Sequence, residues 1–144
     1  MRRIIKYYRL PLTLKLLLLK SFLLLVEYKI RLKILPFEKF RRHYAESIIR
    51  KRIFCRTMTS PVQADDIVWS VETASNILPF KCTCLIKAFC GKFLLFKYYH
   101  SSRLLIGVKK IQGNIIAHAW ISYNDKVVIG NHPDGEYITI GELN

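Results

Sequence analysis

The spacing of apolar positions changes along this chain, and the changes divide it. Over residues 1–44, leucine-rich runs are interrupted by single charges: Leu16 to Leu19 and Phe22 to Val26 are broken by Lys15, Lys20, Glu27, Lys29, Arg31 and Lys33. Leucine is a strong helix former, and Pro11 lies near the start, where a missing amide costs little, so the stretch is read as a helix. Pro36 should end it. Residues 37–44 read as a short amphipathic turn or helix, and 45–59 as a helix tail and connector. A further helix is predicted from Ser60-Pro61-Val62-Gln63, with Ser60 as cap, Pro61 at the first helical position and Gln63 completing a capping box. Val62, Ile67, Val68, Val71 and Ala74 form its apolar face, and it should stop near Ile77, before Pro79. After a loop at 81–84, residues 85–98 read as another helix.

Beyond residue 102 the period falls to two. Strands are predicted at 103–110, 114–123 and 126–129, with a short fourth at 137–140. Helices first and an antiparallel meander afterwards give an α+β domain with helices packed on one sheet face. Residues 1–44 are read as a basic helical extension and 45–144 as the domain proper.

Composition narrows the class. A chain of 144 residues that is 51% hydrophobic has enough apolar material for one folded core. Its net charge of +14 predicts an anionic partner, yet Lys and Arg concentrate in the first third, so the charge describes a region. Leucine outnumbers the aromatics there and no RNA or DNA motif is present, so nucleic acid is not expected. No Gly-rich phosphate loop is present, which argues against an ATP site in this chain. A membrane span needs about 18–20 nearly uncharged residues, and Lys20 at mid-span would cost roughly 2.5–3.5 kcal/mol. Residues 1–44 are instead read as a helix on the domain's own core, or one docking a partner protein or a membrane surface. The apolar stretch lacks a cleavage site of the secretory type. With cysteines at 55, 82, 84 and 90 read as free thiols, the expected location is the cytoplasm, with the inner membrane surface as an alternative contact for residues 1–44.

The candidate chemistry is a cysteine and a histidine. Cys84 opens the predicted helix at 85–98, and a helix N-terminus favours a thiolate through its unpaired amides and macrodipole. Its amide is also a candidate oxyanion donor. Cys82 is the rival, two residues upstream in the loop. Cys90 falls about 120° round the helix from Cys84. His118, in Ala117-His118-Ala119-Trp120, is the candidate base on a strand. A thiol on a helix beside a strand histidine is the working arrangement of papain-like and transglutaminase-like enzymes. The pair needs a third group to orient the imidazole. A two-residue turn at Asn124-Asp125 places Asn131 opposite His118 on the same face; Asp125 and Asp134 are the alternatives, and a bulge would move the register by one. Cys82, Cys84 and Cys90 with His118 fit no common zinc spacing, so no metal and no cofactor are expected.

Cys84-Leu85-x-x-Ala88, Leu105-Ile106-Gly107-Val108-Lys109, His118-Ala119-Trp120 and Val127-Val128-Ile129-Gly130-Asn131 occur in order. Over residues 60–144 the chain thereby resembles the leader peptidases of lasso-peptide biosynthesis, the microcin-processing B proteins, whose protease domain is transglutaminase-like. The resemblance implies a cysteine protease that removes the leader from a ribosomally made precursor, after which a separate ATP-dependent cyclase closes the core. The family's third catalytic residue is usually an aspartate where Asn131 stands, and a glutamate is usual where Ser122 stands. An asparagine orients imidazole but supplies no charge. The length leaves no room for the leader-recognition domain of fused members. The resemblance therefore implies the split form, which works with a separate recognition protein, with residues 1–44 as the dock for that protein or the cyclase.

Overall fold

The computed structural model describes residues 10–54, 62–98, 100–131 and 137–143. Four helices precede four strands: α1 (Leu12–Ile34), α2 (Phe37–Phe54), α3 (Ala64–Ile77), α4 (Cys84–Lys97), β1 (Arg103–Ile111), β2 (Asn114–Tyr123), β3 (Lys126–Ile129) and β4 (Ile138–Leu143). The α+β reading holds, as does the break at Pro36. No helix among the described residues is long and apolar enough to cross a membrane.

Helix α1 turns Leu17, Ser21, Leu25 and Tyr28 inward, positions three or four apart that share one helical face. Ser70 of α3 donates to the carbonyl of Ile67, so the Ser21 hydroxyl donates to Ser70 Oγ, 2.8 Å away, in a site closed to water. Tyr28, Phe40, Tyr44 and Phe89 meet mostly edge-on, at centroid distances of 4.6–6.2 Å, the geometry aromatic quadrupoles prefer. The Tyr44 hydroxyl donates to the Phe89 carbonyl at 3.1 Å. Residue 44, the boundary drawn from sequence, thus lies inside the continuous helix α2 and packs on α4. Leu17, Leu25, Tyr44, Phe89 and Ile121 belong to one continuous apolar cluster.

The start of α3 differs from expectation. It begins at Ala64, with Gln63 at the N-cap in extended conformation and making no side-chain cap bond. The expected cap residues Ser60 and Pro61 lie outside the described residues. Asp65 and Asp66 stand in the first turn, where the helix dipole favours acids. Helix α4 is the central element: Ile86 and every residue from Ala88 to Leu95 are buried. Among them is Lys92, whose ammonium donates to the Ser102 carbonyl, and burial pushes its pKa below the ordinary lysine value.

The strand limits follow the sequence reading closely, but the sheet is not a simple meander. Its order is β3-β2-β1-β4, with β4 antiparallel to β1. Strand β4 is also longer than expected, ending at Leu143. Residues Asn124 and Asp125 have φ values of 49° and 59°, the left-handed pair that a tight two-residue hairpin requires. The register predicted from that turn holds for Tyr123↔Lys126 and Ser122↔Val127, then steps at a bulge so that Ile121 meets Ile129. The extra residue moves Asn131 one place along from the position opposite His118.

Candidate active site

Cys84 is the first residue of α4, and Thr83 is its N-cap. The Thr83 hydroxyl accepts from the amide of Ile86 at 3.4 Å, and its carbonyl accepts from Lys87 at 3.2 Å. The amides of Cys84 itself and of Leu85 are among those a helix start leaves without an intrahelical acceptor. No acidic residue of the helix itself stands in this first turn, so the positive end of a 14-residue helix carries a half-buried thiol. One turn on, the Lys87 ammonium pairs with Glu72 of α3 at 2.9 Å.

The sibling thiols differ in kind. Cys90 is fully buried and donates weakly to the Ser21 carbonyl at 3.8 Å; burial pushes its pKa far up. Cys82, in the loop before α4, is also pushed up by desolvation, against the lowering pull of Lys29 and Lys87. Cys55 lies outside the described residues.

His118 lies in the regular part of β2, where pairing with β1 runs without interruption from Arg103↔Ser122 to Ile111↔Asn114. Its Nε2 lies 2.7 Å from the Gly130 carbonyl. A carbonyl only accepts, so Nε2 carries the proton and the lone pair of the neutral ring sits on Nδ1. The ring lies parallel to Trp120 at 6.1 Å and beside Tyr137 at 5.3 Å. Gly107 makes the Trp120 position possible: a Cβ there would come within 2.8 Å of the indole. Gly130 has φ +79°, and a Cβ on it would lie 2.5 Å from the Ala119 carbonyl. Sequence reasoning missed Gly107, Gly130 and Tyr137 as parts of the site. The two glycines stand inside the motifs that carry the resemblance, and only their close contacts reveal what they do.

The relative placement of thiol and imidazole is specific. Gly91 of α4 sits against the side chains of Ile121 and Ile129, so α4 covers the sheet face that carries Ala119 and Ile121. Successive strand residues alternate in face, and His118 and Trp120 therefore stand on the other face. Cys84 and His118 both lie on the side of the Gly91–Ile121 contact that points away from the β2–β3 turn. His100, which follows α4, accepts from Tyr123 at 3.3 Å, so the C-terminal end of α4 lies at the β2–β3 turn and its N-terminal end points the other way. Cys84 is about 10 Å along the helix from Gly91, and His118 about 10 Å along β2 from Ile121. Among the described residues no hydrogen bond joins Cys84 to His118.

Asn131 follows the Gly130 acceptor directly and is exposed. Asp125 is held by Arg103 at 2.9 Å in the hairpin turn. Asp134 lies outside the described residues. His100 is engaged on both nitrogens, by the Val62 carbonyl at 2.8 Å and by the Tyr123 hydroxyl. Among the described residues no group of three or more His, Cys, Asp or Glu is placed to hold a metal ion.

Residues 22–140 match the model of a family described as the transglutaminase-like superfamily. No curated protein and no solved structure matches the chain.

Proposed function

Since the chain belongs to the transglutaminase-like superfamily, we propose that it is a cysteine peptidase that removes the leader from a ribosomally made lasso-peptide precursor. The observation that carries the reading is the position of Cys84, first in α4, capped by Thr83 and set at the positive end of the central helix. The four ordered motifs around Cys84, Gly107, His118 and Asn131 supply the finer assignment to leader peptidases.

In the proposed reaction Cys84 Sγ attacks the carbonyl of the leader–core bond, and its proton passes to Nδ1 of His118. The amide of Cys84 stabilises the oxyanion. The tetrahedral intermediate expels the core amine, which takes the proton back from His118. Water, deprotonated by the same nitrogen, then releases the leader from the acyl-enzyme. The Gly130 carbonyl keeps His118 in the required tautomer, and Asn131, the next residue, is the proposed polar side chain of that turn. Cys84 and His118 stand on opposite faces of the sheet in this structure, so the proton transfer requires a rearrangement that brings thiol and imidazole together when substrate binds. A separate recognition protein would present the leader, and an ATP-dependent cyclase would use the freed core.

One observation favours a second reading, a non-catalytic scaffold for the same assembly: Cys84 and His118 occupy opposite sheet faces. Incubating precursor with this protein and its recognition partner separates the two. Leader release that disappears in Cys84→Ala and in His118→Ala, and persists in Cys82→Ala, supports the peptidase. Equal release by Cys84→Ala with loss in Cys82→Ala moves the nucleophile to Cys82, and no release by the unaltered protein with Cys84 unreactive to iodoacetamide supports the scaffold.

A further inference from the structure

Helix α1 is apolar on two opposite sides. One holds Leu17, Ser21, Leu25 and Tyr28 against the core. The other carries Leu12, Leu16, Leu19, Leu23, Ile30 and Ile34, each 49–73% exposed. At 100° per residue these six fall within about 60° of one another, diametrically opposite the buried set, along about 33 Å of helix. Lys15, Lys29 and Lys33 flank the stripe on one side, and Lys20 and Arg31 on the other. Glu27 is the one acid of the helix and is bound to Arg31 at 2.7 Å.

We infer that this outer face of α1 docks an acidic amphipathic helix of a partner protein. The stripe is the first argument. Its residues recur mainly at steps of four and three, and it is far narrower than the apolar face of roughly 100° or more that a helix turns to a broad apolar layer. A narrow seam with charges on both flanks is the pattern that receives another helix. Charge is the second argument. Two copies of this seam would bring lysine flanks together, whereas Glu or Asp on the flanks of a partner would pair with them.

The third is the groove beside the seam. It has a volume of about 320 Å³ between α1, α2 and α4, with Tyr28, Phe40 and Leu94 as its floor and Lys20, Arg31, Lys97 and the single acid Glu27 at its rim. It accepts one bulky apolar side chain from the partner, with an acid beside it, the composition of an interface anchor. None of this depends on Cys84 being catalytic.

The test uses the full chain and a four-heptad peptide with Ile and Leu on its seam and Glu on both flanks, followed by fluorescence anisotropy. A second peptide carries Lys on the flanks. The unaltered protein should bind the Glu peptide at least about tenfold more tightly than the Lys peptide. The double variant Leu19→Asp/Ile30→Asp should lose that binding while keeping the circular-dichroism spectrum and urea midpoint. Lys15→Glu/Lys33→Glu should shift the preference toward the Lys peptide. Equal affinity for both peptides, or binding to neither, overturns the inference and does so without any variant. Binding to phosphatidylglycerol-containing vesicles in place of the Glu peptide assigns the face to lipid. A concentration-dependent doubling of mass that Leu19→Asp/Ile30→Asp abolishes assigns it to a second copy.

Discussion

The imidazole of His118 is tied to the backbone of Gly130: Nε2 and the carbonyl oxygen are 2.7 Å apart, and the carbonyl belongs to a residue with φ +79°. The contact sets the tautomer through an acceptor that no side-chain substitution removes directly. Nitrogen NMR of histidine-labelled protein should therefore show the Nε2-protonated tautomer for neutral His118, in the unaltered chain and in Asn131→Ala alike. If Asn131→Ala also leaves the rate of leader release unchanged, Asn131 leaves the proposed catalytic set. A fall of tenfold or more with an unchanged tautomer would give the amide a role beyond orienting the ring.

Gly130→Ala attacks the same contact from the other side. A methyl group must enter a left-handed backbone position and the space 2.5 Å from the Ala119 carbonyl. Strain of this kind costs roughly 1–3 kcal/mol. A urea midpoint lowered accordingly is expected, with the His118 tautomer signal lost or split. A variant as stable as the parent would show that the turn relaxes freely.

The three described thiols should separate by reactivity. Iodoacetamide on the folded chain is expected to modify Cys84 first, Cys82 more slowly because burial raises its pKa, and Cys90 only after unfolding. Peptide mapping by mass spectrometry gives the order. Labelling of Cys90 at the rate of Cys84 in native buffer would contradict the packing of α4.

Stability should decline in alkali. Burial raises the pKa values of Cys90, Tyr28 and Tyr44 above their ordinary values of 9.0, 10.0 and 10.0. Once pH passes the ordinary thiol value the unfolded chain gives up a proton that folded Cys90 keeps. The stabilisation is complete below that value and drains away as pH rises through 9 and 10. Lys92 acts oppositely, because its pKa is lowered and the unfolded chain holds the extra proton. Urea midpoints from pH 7 to 10.5 should fall less steeply for Cys90→Ala than for the parent, and more steeply for Lys92→Met.

Local rules and long-range geometry account for what the sequence disclosed. The limits of β2 and β3 were legible because alternation and the Asn124-Asp125 turn are encoded within a few residues. The position of Cys84 at a helix start was legible for the same reason, since Thr83 and the apolar run after it are adjacent. The bulge between Ile121 and Ser122, and the pairing of β4 with β1, were not. Each depends on how distant segments pack, and one extra residue in β3 suffices to leave Asn131 one place short of His118. Which sheet face α4 covers was likewise invisible, because it is decided by the fit of Gly91 over Ile121 and Ile129.

The pairing of β4 with β1 has a consequence for synthesis on the ribosome. Leu104 finds its partner in Leu143, so one edge of the sheet stays open, with its amides and carbonyls unpaired, until almost forty further residues have been added. During that interval β1 is a template for any extended segment nearby. A chain halted before β4 should accumulate in aggregates or on chaperones even though its helices and three strands are already made.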